Sequence, residues 1–147
     1  MEFISKNAVF LNLKATGKDD ALKELAKLMA QSNENLDAEK IHDLLVKREE
    51  LSSTAIDGGL AIPHAKTHLV SHICGLLALS HDGVEFGSMD GKLTKIFFVL
   101  LSPEAATGDH LRALSQISRV FKEPALRERI LQAPTSEEVW DLVTSTR

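Results

Sequence analysis

Three of the chain's six histidines fall four residues apart, at His64, His68 and His72, inside "GGLAIPHAKTHLVSH" (58–72). Imidazole binds metals, moves protons and attacks electrophiles near neutral pH, so the spacing asks which chemistry it serves. On a helix the i, i+4, i+8 pattern would line one face, and its first pair has the spacing of zinc-binding helices. The surroundings oppose that reading. Pro63 and the two glycines before it make the approach extended, and Val70 and Ile73 look like the run into a strand. No Glu follows His64 as an HExxH helix requires, and Cys74 is the only thiol. His68 and His72 therefore read as solvated loop residues, and no metal site is expected. His64 differs in its frame. Gly58 and Gly59 can take conformations closed to other residues, and Pro63 fixes the backbone just before the ring. Such a bend presents one ring nitrogen in a set direction; the frame alone leaves open whether that nitrogen is used.

The elements that must hold this segment are short. "AVFLNL" (8–13) is apolar and β-capable. Thr16 precedes Asp19 by three, a capping-box spacing, and Ala21, Leu22, Leu25, Ala26, Leu28 and Met29 then recur with helical period. A second helix is predicted after Asp37 as N-cap, with Ile41, Leu44 and Leu45 on its apolar face, running through "KREE" and fading at Ser52 and Ser53. "GLLALS" (75–80) and "KIFFVLL" (95–101) have the pattern of buried strands. The turn-rich "HDGVEFGSMDG" between them predicts a hairpin or a short extra strand at Val84 to Phe86. Asp109 reads as the N-cap of a helix carrying Leu111, Leu114, Ile117 and Phe121. Pro124 suits the first turn of another helix, and Thr135 with Glu138 predicts a last capping box. Helices at both ends and apolar strands between them predict a single-domain α/β sandwich, with a mixed central β-sheet flanked by helices on both faces.

Composition narrows the class. The 147 residues fit one domain, and 44% apolar residues can build a real core. Seventeen basic against 21 acidic residues give a net charge of −4 without a basic block, so no nucleic-acid partner is expected. One cysteine excludes a disulfide scaffold and favours a reducing compartment. The start, "MEFISKNAVFLNLK", lacks the pattern of a signal peptide. "IFFVLL" (96–101) is too short to insert in a membrane. The chain reads as a soluble cytoplasmic domain.

The segment "REELSSTAIDGGLAIPHAK" (48–66) resembles the phosphorylation-site signature of enzyme IIA of the bacterial phosphoenolpyruvate-dependent phosphotransferase system, in its fructose/mannitol/nitrogen-regulatory class. That pattern is an Arg-Glu near a helix end, a Ser-Thr-Gly stretch, then Gly-x-Ala-Ile-Pro-His. "MDGK" (89–92) and "LLSPEAATGDHLRALSQISRVF" (100–121) resemble the family's Asp-Gly, strand, Pro and His-Leu segments. Several motifs in the right order cover nearly the whole chain, which is identified as a type-2 IIA domain over 1–147. One departure stands out: Ala55 occupies the usual glycine position. If that position needs positive φ, alanine costs about 1 kcal/mol there.

The resemblance implies that His64 is the phospho-accepting nucleophile and that Arg48 and His110 support it. Phosphoryl transfer is mostly positioning plus stabilisation of charge on the equatorial oxygens. The acceptor nitrogen must be unprotonated, so the other ring nitrogen should carry the proton and be held by an acceptor. Arg48 offers a permanent cation with a planar fork of donors. His110 falls in a predicted first helical turn, where free N–H groups favour an anion. The Thr54 hydroxyl either donates to the phosphoryl group or caps a turn. No cofactor or metal is called for, because the donor would be another protein's phosphohistidine, already activated. The implied partners are an HPr-type phosphocarrier and then either a IIB domain, feeding sugar uptake, or a regulatory target. With no fused IIB or IIC domain the reading leans to the nitrogen-regulatory type. The alternatives are a non-catalytic binding module of the same fold and a histidine-cluster metal protein. "GSMDGKL" fails as a phosphate loop, its glycines being too close and Leu93 replacing the needed Ser or Thr.

Overall fold

The computed structural model describes residues 1–33 and 35–145. After a short 3-10 turn at Lys6–Ala8 the elements run β1 (Val9–Phe10), α1 (Lys18–Ser32), α2 (Ala38–Leu51), β2 (Ala55–Ile56), β3 (Leu60–Ala61), β4 (His64–Lys66), β5 (Cys74–Val84), β6 (Thr94–Ser102), α3 (Thr107–Val120), α4 (Pro124–Gln132) and α5 (Ser136–Ser145). The sheet order is β1-β5-β6-β3-β2, and β4 also pairs with β6, further along the strand. β5 and β6 form an antiparallel hairpin; β3 and β4 both lie parallel to β6. The sheet is therefore mixed, as its alternation of hairpin and crossover connections requires.

Both faces are covered. Leu77, Leu79, Ile96, Phe98 and Leu100 pack with Ile117 of α3, Phe121 just after it, Ile130 of α4 and Val139 of α5. Leu76, Ala78, Phe97, Val99 and Leu101 pack with Leu22, Leu25, Met29, Ile41 and Leu45 of α1 and α2. Odd and even residues of each strand serve opposite faces, which is why "GLLALS" and "KIFFVLL" are continuous apolar runs rather than alternating ones.

Local expectations differ in four places. α1 starts from Gly17 without a side-chain cap; Thr16 lies one residue ahead of that cap, and its carbonyl accepts the Glu85 N–H at 2.9 Å. The Val84 to Phe86 strand is not separate: Val84 ends β5 after a register shift from Leu79, and Glu85 bridges Gly17. The N-cap of α3 is Ala106, so Asp109 lies inside the first turn and its carboxylate pairs with Arg112. Ala55 is extended and pairs antiparallel with Ala61. Among the described residues the only non-glycine at positive φ is Asn35, so alanine carries no left-handed penalty at that site. Asp37 does cap α2, accepting the Glu39 N–H at 2.9 Å, and Pro124 opens α4.

The turn ahead of β3 needs its glycines. Gly58 and Gly59 have φ of +97° and +85°, and a Cβ on Gly59 would sit 3.2 Å from the Leu93 carbonyl oxygen. Asp90 pins this turn from 32 residues away. Its carboxylate accepts N–H bonds from Lys92 at 3.0 Å and Gly58 at 2.9 Å, and the Ser88 hydroxyl at 2.7 Å. These donors, Lys92 first, hold its pKa down, from 3.8 to about 2. A depressed carboxyl pKa stabilises the fold above the unfolded value, and that contribution disappears as pH falls through the folded one. Asp90→Asn should therefore melt below the wild type by a constant margin at neutral pH, with the gap closing between 3.8 and about 2. Thermal melts across that range check it; a pH-independent gap would show that the charge of Asp90 plays no part.

Candidate functional site

His64 opens β4 at the register position of Leu100 on β6. The preceding proline cannot donate, but its carbonyl accepts the Leu100 N–H at 3.0 Å and locks the chain to β6 immediately before the ring. The His64 Nδ1 lies 2.7 Å from the Ile62 carbonyl oxygen. A carbonyl can only accept, so Nδ1 carries the proton and Nε2 keeps a free lone pair. The ring is half-buried. Burial lowers its pKa most, the Ile62 bond opposes that, and the charge of Arg48 lowers it further against Glu49. Neutral imidazole is thereby favoured, the form that acts as a nucleophile.

His110 projects from the first turn of α3 and is buried. Its ring centroid lies 5.5 Å from that of His64, at an interplanar angle of 48°. Nδ1 is 2.6 Å from the Ser102 hydroxyl at the end of β6. Burial, then the nearby His64 and Lys66, push its pKa down. Lys66 Nζ donates to the Thr107 hydroxyl at 3.2 Å, tying β4 to the start of α3.

Arg48 stands in the last turn of α2 and donates from Nη1 to the Ser52 carbonyl at 2.9 Å. α2 packs against β4, and the charge of Arg48 bears on the His64 ring. Thr54 is placed differently from either expectation. It is buried, and both its N–H, at 3.0 Å, and its hydroxyl donate to the Glu49 carboxylate. A hydroxyl has one proton, and Glu49 takes it. Glu49 also receives Lys18 Nζ at 2.9 Å, so one buried carboxylate shapes the 52–54 loop between Arg48 and His64.

His68 and His72 stand apart from His64. The segment is strand then loop, not helix, and both are exposed. They border a separate cavity of about 630 Å³ with Cys74 and Val70.

Glu49, Ser102 and Lys66 are the residues that sequence reading missed. The first two carried a signal. Glu49 continues the i, i+4 series of Ile41 and Leu45 onto the buried face of α2. Ser102 continues the Phe98 and Leu100 alternation that faces α3. Nothing in the sequence marks Lys66.

The fold is shared with solved proteins. Nitrogen regulatory protein IIA-Ntr from Neisseria meningitidis superposes with a TM-score of 0.89 at 30% identity, over 97% of each chain. IIA mannitol from Escherichia coli gives a TM-score of 0.80 over 95% of this chain and 97% of its own, at 18% identity. The sequence model of the family described as "Phosphoenolpyruvate-dependent sugar phosphotransferase system, EIIA 2" matches residues 2–146. The chain belongs to this family. It is 34% identical to a nitrogen regulatory protein of Pseudomonas aeruginosa, over 99% of this chain and 95% of that one. It is 31% identical to a mannitol-specific phosphotransferase enzyme IIA component of Staphylococcus aureus, over 94% and 92%. It spans 22% of the length of a fructose-specific EIIABC component of Bacillus subtilis, at 30% identity. No helix among the described residues is long and apolar enough to cross a membrane.

Proposed function

We propose that this chain is a phosphocarrier that takes a phosphoryl group from a phosphorylated HPr-type protein onto Nε2 of His64. The observation that carries the reading is the oriented imidazole pair: Nδ1 of His64 is committed to the Ile62 carbonyl at 2.7 Å, and His110 faces the ring from 5.5 Å. The step balances simply. The N–P bond of the donor's phosphohistidine, protonated on its other nitrogen, breaks as Nε2 of His64 bonds to phosphorus. The donor leaves as neutral imidazole, and the positive charge moves to the His64 ring, where the bond from Nδ1–H to the carbonyl strengthens as that charge develops. Arg48 and His110 are the groups that would meet the phosphoryl oxygens. Thr54, its hydroxyl already donating to Glu49, supports them only by shaping the loop.

The flanks suit docking by another protein. Leu51, beside the Arg48 loop, is 82% exposed, and Leu111, next to His110, is 60% exposed. The transferred group would go on either to a IIB domain or into a signalling role. The nitrogen-regulatory type is favoured because IIA-Ntr superposes with a TM-score of 0.89 at 30% identity, against 0.80 at 18% for IIA mannitol.

The test is incubation with phosphoenolpyruvate, enzyme I and HPr, followed by intact mass measurement. One acid-labile phosphoryl group per chain is expected. No uptake from any cognate donor would instead support a module of this fold that works by binding alone. Onward transfer to a purified IIB domain would favour the transport role; retention would favour the regulatory one.

A further inference from the structure

Two histidines 5.5 Å apart raise the question of which attacks and which assists. Their Nδ1 partners differ in kind. His64 faces a carbonyl, which can only accept. His110 faces the Ser102 hydroxyl, which can do both. The burial of Ser102 removes the ambiguity. Its side chain is fully enclosed at the end of β6, and among the described residues His110 Nδ1 is the one hydrogen-bond partner of its hydroxyl. A buried hydroxyl proton with no acceptor is costly, so the Ser102 O–H is directed at Nδ1. That nitrogen must then be the lone-pair nitrogen, and the proton of the neutral ring must sit on Nε2.

From this juxtaposition of a sealed hydroxyl and a buried imidazole we infer that Ser102 is a positioning residue, holding His110 as an N–H donor at Nε2 while His64 offers a lone pair at the same atom. The two rings thus keep opposite tautomers, set by what lies behind each of them. The inference rests on the phosphocarrier reading for its consequence: a donor Nε2–H complements the phosphoryl oxygens on His64, whereas a second lone pair would repel them. Protonating His110 would reverse the Ser102 bond and strand the hydroxyl proton. Burial of the ring opposes that protonation too, and the neighbouring His64 and Lys66 add to it.

Tautomers are read directly in the free protein. Two-bond proton–nitrogen correlation spectra of uniformly 15N-labelled chain are recorded at about pH 8, above the ordinary imidazole pKa. Nδ1–H is expected for His64 and Nε2–H for His110. In Ser102→Ala the His110 pattern should lose its Nε2–H preference while His64 is unchanged. An Nδ1–H tautomer of His110 in the wild type overturns the inference without any reference to activity. In single-turnover transfer from phospho-HPr, Ser102→Ala should be slower by about 3- to 10-fold, the size of one neutral hydrogen bond. Because Ser102 acts through His110, the double variant with His110→Ala should be no slower than His110→Ala alone; losses that multiply would refute the assignment. A wild type that takes up no phosphoryl group sinks the phosphocarrier reading, and the spectra still decide the tautomer.

Discussion

His64→Ala is expected to accept no phosphoryl group, while His68→Ala and His72→Ala are labelled like the wild type. The three histidines differ in environment, not in intrinsic chemistry. Only His64 has one ring nitrogen committed to a carbonyl, leaving the other as a bare lone pair. Only His64 stands opposite a second imidazole. His68 and His72 are exposed on the following loop; among the described residues neither ring is bonded to a backbone carbonyl, and the His72 Nδ1 lies 3.2 Å from the Ser71 hydroxyl. His110 cannot substitute as the acceptor if its Nε2 carries the proton, so removal of His64 should leave no residual uptake. The measurement is intact mass after incubation with phosphoenolpyruvate, enzyme I and HPr, with circular dichroism confirming the fold. Label surviving in His64→Ala, or lost in His68→Ala, would move the site.

The second large effect is expected at Arg48. Arg48→Ala and Arg48→Lys should both slow single-turnover transfer by about 10- to 100-fold, or roughly 1.4 to 2.7 kcal/mol of transition-state stabilisation. Arginine contributions to phosphoryl transfer reach about 10³- to 10⁵-fold. This guanidinium is half-exposed at a helix end, so screening reduces its contribution. The geometry leaves it free to act. One nitrogen is tethered to the Ser52 carbonyl at 2.9 Å, and a guanidinium has five N–H donors to share. The tether also explains why lysine should not rescue. An ammonium keeps the charge but loses the planar fork that binds Ser52 and phosphoryl oxygens together. Wild-type rates in both variants would reduce Arg48 to a residue that closes the end of α2.

The two effects depend on one piece of architecture. β4 runs parallel to β6, whose last residue is Ser102, and α3 begins five residues later. Both histidines therefore sit at the same end of β6, one on the neighbouring strand and one on the following helix. On the other side, the buried Glu49 gathers Thr54 and Lys18, and so shapes the loop that runs from Arg48 at the end of α2 towards His64.

Much of this was legible in the chain itself. Helical period marked α1 and α2, and unbroken apolar runs marked β5 and β6 as strands covered on both faces, because burial on two sides removes alternation. Pro63 and the paired glycines marked the bend before His64, since those residues restrict or extend backbone freedom whatever surrounds them. The resemblance of "REELSSTAIDGGLAIPHAK" and its companion segments pointed to the family that the full-length match then showed. Local signals failed where the folded chain offered another partner or another start. α1 begins from Gly17, one residue after Thr16, and the Thr54 hydroxyl donates to the buried Glu49. Asp109 lost the cap position because α3 starts three residues earlier, from Ala106. The tautomers lay further out of reach. The sequence supplies two histidines, but which nitrogen of each carries the proton depends on the group behind the ring. For His64 that is a carbonyl two residues back, and for His110 a hydroxyl eight residues back on another element. Backbone propensity and periodicity act within a few residues along the chain. The proton placement on His110 follows from a contact of 2.6 Å between β6 and α3, which exists only once the sheet and α3 have packed together.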